Sequence, residues 1–131
     1  MKEIIKLSAV EIRDKVLAKE LSAKQVCTTF IEQVKKNEKY NAVLEVFEDA
    51  VFKAEEIDKK ISLGFSGKLA GVPIIIKDNI LYKGKICSCS SKFLENYVAQ
   101  YDSTVVKKLL QEGAIILGRA NMDEFAMGSS T

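Results

Sequence analysis

The sequence contains no histidine, so any proton it moves must travel on Lys, Asp, Glu, Tyr or Cys. No Ser-His-Asp triad, Cys-His dyad or His-bearing zinc site can be assembled within it. Lys77 is the first residue suited to the task. It follows Pro73-Ile74-Ile75-Ile76, a run that reads as a strand covered on both faces and central in a sheet. In open α/β sheets, sites gather where loops leave the carboxyl ends of strands. A lysine held there against apolar neighbours would lose hydration and could titrate low enough to act as a base. The same sequence also suits a strand-terminal lysine whose ammonium simply reaches water. Gly128-Ser129-Ser130 is the second candidate, because small residues with free amides and hydroxyls can cradle an anion. It equally suits a polar turn, as do Ser88, Ser90 and Ser91. Asp78 and Asn79 read as the residues that close the turn after the strand.

Other chemistries find little to work with. Cys87 and Cys89 supply two metal ligands where zinc takes about four, and residues two apart are poorly set to bridge each other. With Cys27, they are expected to be free thiols in a reducing, cytoplasmic setting. Gly64-Phe65-Ser66-Gly67-Lys68-Leu69 lacks both the glycine spacing and the Ser or Thr of a phosphate-binding loop. Twenty Lys and Arg against 18 Asp and Glu leave a net charge of +2, too small to argue for nucleic acid or an anionic membrane as a partner, and the lysines are scattered as on solvated helix faces. Tyr40, Tyr82, Tyr97 and Tyr101 interleave with no basic stripe. Apolar runs such as Val72 to Ile76 are far shorter than the ~18 residues of a membrane span. No secretory signal is expected after Met1-Lys2-Glu3. At 47% hydrophobic and 29% charged, the 131 residues have a globular composition.

The elements that must position Lys77 and the serines follow from pattern. Ser8-Ala9-Val10-Glu11 is a capping box, and Val10, Ile12, Val16 and Leu17 follow it at helical spacing. Ser22-Ala23-Lys24-Gln25 repeats the signal ahead of Val26, Phe30, Ile31 and Val34, with Lys35, Lys36 and Lys39 near the negative end of the dipole. A strand-like stretch spans 41–47, and a helix with Ala50, Val51, Ala54, Ile57 and Ile61 inward spans 48–63. After the strand ending at Lys77, a looser segment through Cys87-Ser88-Cys89-Ser90-Ser91 leads to a helix capped by Asp102 or Ser103 and closed by Gly113. Ala114-Ile115-Ile116-Leu117-Gly118 is a second buried strand. Strand, helix, strand is the grammar of a parallel α/β unit. The expected fold class is α/β: amino-terminal helices, then part of a mixed, mostly buried sheet flanked by helices.

Leu69-Ala70-Gly71-Val72-Pro73-Ile74-Ile75-Ile76-Lys77-Asp78-Asn79-Ile80 resembles the strand-and-lysine block of the amidase signature family. Tyr101 to Val106 and Gly113 to Gly118 resemble its next helix and strand. Asn121-Met122-Asp123-Glu124-Phe125-Ala126-Met127-Gly128-Ser129-Ser130-Thr131 resembles the wording of the family's glutaminases, which serve three-subunit tRNA-dependent amidotransferases. The resemblance implies a Ser nucleophile, a second bridging Ser and a catalytic lysine, matched here by Lys77. Met127, Gly128 and Ser129 match a loop bordering the acyl pocket; Asp123 or Glu124 could contact the route by which ammonia reaches the partner subunit, and a structural role is the other expectation for them. It also implies glutamine as substrate, the B and C subunits of the heterotrimer as partners, and misacylated Glu-tRNA(Gln) reached through the complex. ATP and magnesium belong to the partner subunit, with no cofactor or metal in this chain.

The family's Gly-Gly-Ser-Ser-Gly-Gly-Ser block, which holds both serines, does not occur in this sequence. Residues 1–131 are therefore expected to be the amino-terminal portion of one amidase signature domain, inactive alone and open to self-association through exposed edges. Within it, 1–66 would be mainly helical and 67–131 the start of the α/β core. Cys87-Ser88-Cys89-Ser90-Ser91-Lys92 departs from the family's usual Thr-Cys-Ala-Ser-Lys. Two alternatives stand beside the glutaminase reading: another amidase of small amides, and a non-catalytic scaffold module.

Overall fold

The computed structural model describes residues 3–129, so Ser130 and Thr131 of the candidate terminal loop lie outside the described residues. Among the described residues, four α-helices and three strands run in the order α1 (Ala9–Leu17), α2 (Ala23–Lys36), β1 (Val43–Val46), α3 (Ala50–Ser62), β2 (Pro73–Lys77), α4 (Thr104–Gln111) and β3 (Ile115–Ala120). This is the expected α/β class.

The helix starts are set by local chemistry. Ser8 and Glu11 form the reciprocal capping box, with the Ser8 N–H donating to the Glu11 carboxylate at 2.7 Å. Ser22 Oγ accepts from the Gln25 N–H at 3.0 Å. Two further orphan amides at the start of α2, those of Ala23 and Lys24, donate to Asp58 of α3 at 2.7 and 3.1 Å. A carboxylate on one helix thus caps its neighbour and complements its dipole, locking α2 against α3. Ser103, rather than Asp102, caps α4 by accepting from the Val106 N–H. Beyond the helix, Gly113 takes φ +85, a left-handed conformation that carries the chain from α4 into β3. Val10, which shares the helical spacing of Ile12 and Val16, is 55% exposed, as is Val105 of α4.

The sheet has the order β1-β3-β2. β2 and β3 are parallel, with Lys77 opposite Ala120, and β1 pairs with β3 antiparallel. Ile12, Val16, Val26, Cys27, Ala54, Ile57 and Ile61 of the first three helices pack with Ile115 and Leu117 of β3. Ile116 instead joins Val106 of α4, together with Phe47, Ile76 and Tyr82. Because successive strand residues point to opposite faces, α1–α3 cover one side of the sheet and α4 the other.

Two expectations need correction. The strand that ends in Lys77 is an edge of the described sheet, and β3 is the central strand. Its covering is also lighter than its β-branched run suggested: only Ile76 of β2 is buried, whereas Ile115 to Gly118 of β3 all are. A strand with one free edge lacks the neighbour that would complete its burial. In addition, β1 comes from the mainly helical half of the sequence, so the sheet draws on both halves.

Candidate functional site

Because β2 and β3 are parallel and end together at Lys77 and Ala120, the segments that follow them emerge at the same end of the sheet. This brings Lys77, the loop 87–91 and the segment 121–129 into one region. Lys77 is exposed, and among the described residues its ammonium has no hydrogen-bond or ion-pair partner. The apolar surroundings expected for it are therefore not supplied by residues 3–129. Its backbone, by contrast, is fixed: the Lys77 carbonyl accepts from the Ile80 N–H at 3.0 Å, and the next amide, of Asp78, donates to the Ala120 carbonyl at 3.1 Å.

Asp78 is the largest departure from the sequence reading. Instead of simply closing a turn, its side chain is fully buried at 0% exposure. Its carboxylate accepts from the Ser88 N–H at 3.0 Å, the Ser88 hydroxyl, the Ser90 N–H at 2.8 Å and Arg119 Nη1 at 2.9 Å. Burial alone would push this carboxyl up; the hydrogen bonds from Ser88 and Ser90 and the Arg119 guanidinium together hold it below the usual carboxylate range. The Asp78 carbonyl also accepts from the Cys89 N–H at 2.9 Å and from Cys87 Sγ at 3.3 Å. Cys89 and Ser90 both adopt φ +51, a left-handed bend in a loop whose four successive residues, 87–90, turn polar groups onto one aspartate. Arg119 spans the network: its Nε donates to Glu45 of β1 at 2.8 Å, and Nη1 reaches both Asp78 and Ser88 Oγ.

The serine-rich loop is thus a clasp and not a free polar turn. Ser90 Oγ donates to Asn121 Oδ1 at 2.9 Å and accepts from the Met122 N–H at 3.2 Å. Ser91 Oγ donates to Glu124 at 2.7 Å, in keeping with a structural role for that glutamate. The Phe125 N–H closes the contact on the Cys89 carbonyl at 3.0 Å. Met127, Gly128 and Ser129 are exposed beyond this clasp. A Cβ at Gly128 would lie 2.6 Å from the Asp123 carboxylate, so the loop passes too close to Asp123 for a side chain. All three cysteines are free. Burial pushes the Cys27 thiol up to about 11, and burial raises Cys87 as well. Among the described residues, no group of His, Cys, Asp and Glu could hold a metal ion, and no helix is long and apolar enough to cross a membrane.

The described residues thus place a buried acidic latch next to an exposed lysine at the carboxyl end of a parallel strand pair in a mixed α/β sheet. The Amidase family model matches residues 25–131, and the chain belongs to that family. It is 48% identical to the A subunit of the glutamyl-tRNA(Gln) amidotransferase of Thermoanaerobacter pseudethanolicus, over 98% of this chain and 27% of that protein. The Fusobacterium nucleatum protein of the same name is 49% identical, over 98% of this chain and 27% of its own length. Among solved structures, the native peptide amidase from Stenotrophomonas maltophilia superposes with a TM-score of 0.86 at 26% identity, covering 92% of this chain and 26% of that one. The chain thus spans about a quarter of the length of the relatives it matches.

Proposed function

We propose that this chain is the amino-terminal quarter of the glutaminase subunit of a tRNA-dependent amidotransferase, and that Lys77 is its catalytic base. The observation that carries the reading is Lys77 itself: an unpaired ammonium, among the described residues, on a rigid backbone at the open carboxyl end of β2. The identity to the A subunits of such amidotransferases supports the choice of glutamine over other amides. In this mechanism a neutral Lys77 draws a proton, through a bridging serine, from a nucleophilic serine that attacks the glutamine carboxamide. Both serines lie in the remainder of the domain. Ammonia leaves, and water clears the acyl-enzyme. Met127, Gly128 and Ser129 border the acyl pocket. The ammonia passes to the B subunit, where ATP and magnesium activate the glutamate of misacylated Glu-tRNA(Gln), and the C subunit completes the assembly. Three free thiols suit a cytoplasmic enzyme.

The test replaces the matching quarter of the Thermoanaerobacter A subunit with this chain and assembles the chimera with that organism's B and C subunits. Ammonia release from glutamine and amide formation on Glu-tRNA(Gln) are then measured. Lys77→Ala should abolish glutamine hydrolysis and leave amidation driven by free ammonium largely intact. Equal loss of both activities would assign Lys77 a folding role and overturn the proposal. The 131-residue chain alone, lacking the nucleophile, should release no ammonia from glutamine.

A further inference from the structure

We infer that Asp78 is a positioning residue for Lys77, acting through the clasp of loop 87–91 and Arg119; the inference rests on the assignment of Lys77 as the base. Asp78 cannot touch substrate, because its side chain is wholly buried. It is nevertheless the most heavily tethered residue of the site. Its N–H is tied to Ala120 of β3, its carbonyl to Cys87 and Cys89, and its carboxylate to Ser88, Ser90 and Arg119. Two separate parts of the chain therefore fix one residue: the loop 87–90, and β3 through both the Ala120 carbonyl and the Arg119 guanidinium, which is itself held by Glu45 of β1.

The residue so fixed is the immediate neighbour of Lys77. Consecutive residues at a strand end point to opposite faces, so anchoring Asp78 inward commits Lys77 outward. Arg119 Nη1 and the Ser88 and Ser90 donors already occupy the Asp78 carboxylate, so that anion is engaged without the lysine. A base that accepts a proton across a bridging hydroxyl must be held within a few tenths of an ångström, and rigid supporting residues are how such placement is achieved. Lys77 has little else in this chain to hold its side chain, since it is exposed. The backbone latch is what remains.

The test uses the chimeric complex described above, with Asp78→Asn and Ser88→Ala. Asp78→Asn preserves shape but removes the charge and puts an amide N–H where donors converge. Its glutaminase kcat should fall roughly 10- to 100-fold, the loss expected of a small misplacement of a reacting group. KM for glutamine and ammonium-driven amidation should each stay within about threefold, because binding and the partner reaction do not pass through Asp78. Ser88→Ala removes one donor and leaves the Arg119 pair, and its kcat should fall roughly fivefold, the equivalent of about one hydrogen bond. An unchanged kcat in assembled Asp78→Asn overturns the inference. So does a loss shared equally by glutaminase and ammonium-driven amidation, which marks a purely structural role. If Asp78→Asn does not assemble, Ser88→Ala decides by the same criteria. The two readings fail separately: a glutaminase-active Lys77→Ala refutes the base itself, whereas an inactive Lys77→Ala beside a fully active Asp78→Asn refutes only the positioning role.

Discussion

Arg119→Gln removes the cation on which the electrostatics of the site depend, and its cost can be worked from exposure. The guanidinium side chain is 14% exposed and pairs with two carboxylates of very different surroundings, Glu45 at 39% and Asp78 at 0%. Glu45 can turn to water, and an ion pair that exposed contributes little. Asp78 cannot. Deleting one partner of a buried pair costs about 3–5 kcal/mol, because the other charge stays behind without compensation. Ser88 and Ser90 continue to donate to Asp78, which sets the expectation at the lower end, about 3 kcal/mol. For a chain of this size that corresponds to a fall in Tm of about 10 °C.

The pH dependence distinguishes lost charge pairing from lost packing. In the native protein the Asp78 carboxyl sits below its ordinary value, so its contribution is complete above the unfolded carboxylate range and disappears as pH falls through the lower folded value. Without the guanidinium, burial is opposed only by the serine donors, and the variant's Asp78 takes up its proton at higher pH. The deficit of the variant should therefore be largest near neutral pH and shrink on acidification, through and below the carboxylate range. Urea denaturation followed by far-UV circular dichroism at several pH values measures it. A deficit as large at about pH 2.5 as at about pH 7 would refute the electrostatic reasoning and leave packing of the arginine stem as the cause.

Gly118→Ala would drive a methyl group into the Glu45 carbonyl where β1 crosses β3, destabilising the protein by roughly 1–3 kcal/mol. Amide hydrogen exchange should report it as lost protection of the Phe47 N–H, which donates to Leu117 at 2.7 Å, and unchanged protection there would count against the clash. Cys27, fully buried and pushed up to about 11, should resist iodoacetamide under native, mildly alkaline conditions while the partly exposed Cys89 reacts. Modification of both at equal rates would show that the α2–α3 core opens readily.

What could be read from the sequence was whatever depends on near neighbours. The serine caps at Ser8, Ser22 and Ser103, the glycine stop at Gly113 and the runs Ile74-Ile75-Ile76 and Ile115-Ile116-Leu117 are local signals, and each marks the element it announced. Edge against centre is not local. β2 carries the more conspicuous β-branched run, yet β3 is central, because strand order depends on where β1 returns from the helical half. The aspartate latch was missed for a similar reason. Its partners Ser88 and Arg119 lie 10 and 41 residues away, and Asp after Lys at a strand end ordinarily means a turn. A clue was present: Arg119 follows Ile115-Ile116-Leu117-Gly118 in a buried strand, and a cation in such a strand requires an acidic partner.

The site divides into a part this chain determines and a part it does not. Backbone position is determined here, since Lys77 and Asp78 are tied to β3 and to the 87–91 clasp by bonds that lie wholly within residues 3–129. The solvent environment of the lysine is not, since it stands exposed beside the free edge of β2. Lysine chemistry of the kind proposed above depends on how much water surrounds the side chain. Under the role proposed for Lys77, a neighbour along the open edge of β2 would have to supply cover from that water. Covering that edge and activating the proposed base would then be one event, with the latch fixing the backbone of the lysine beforehand.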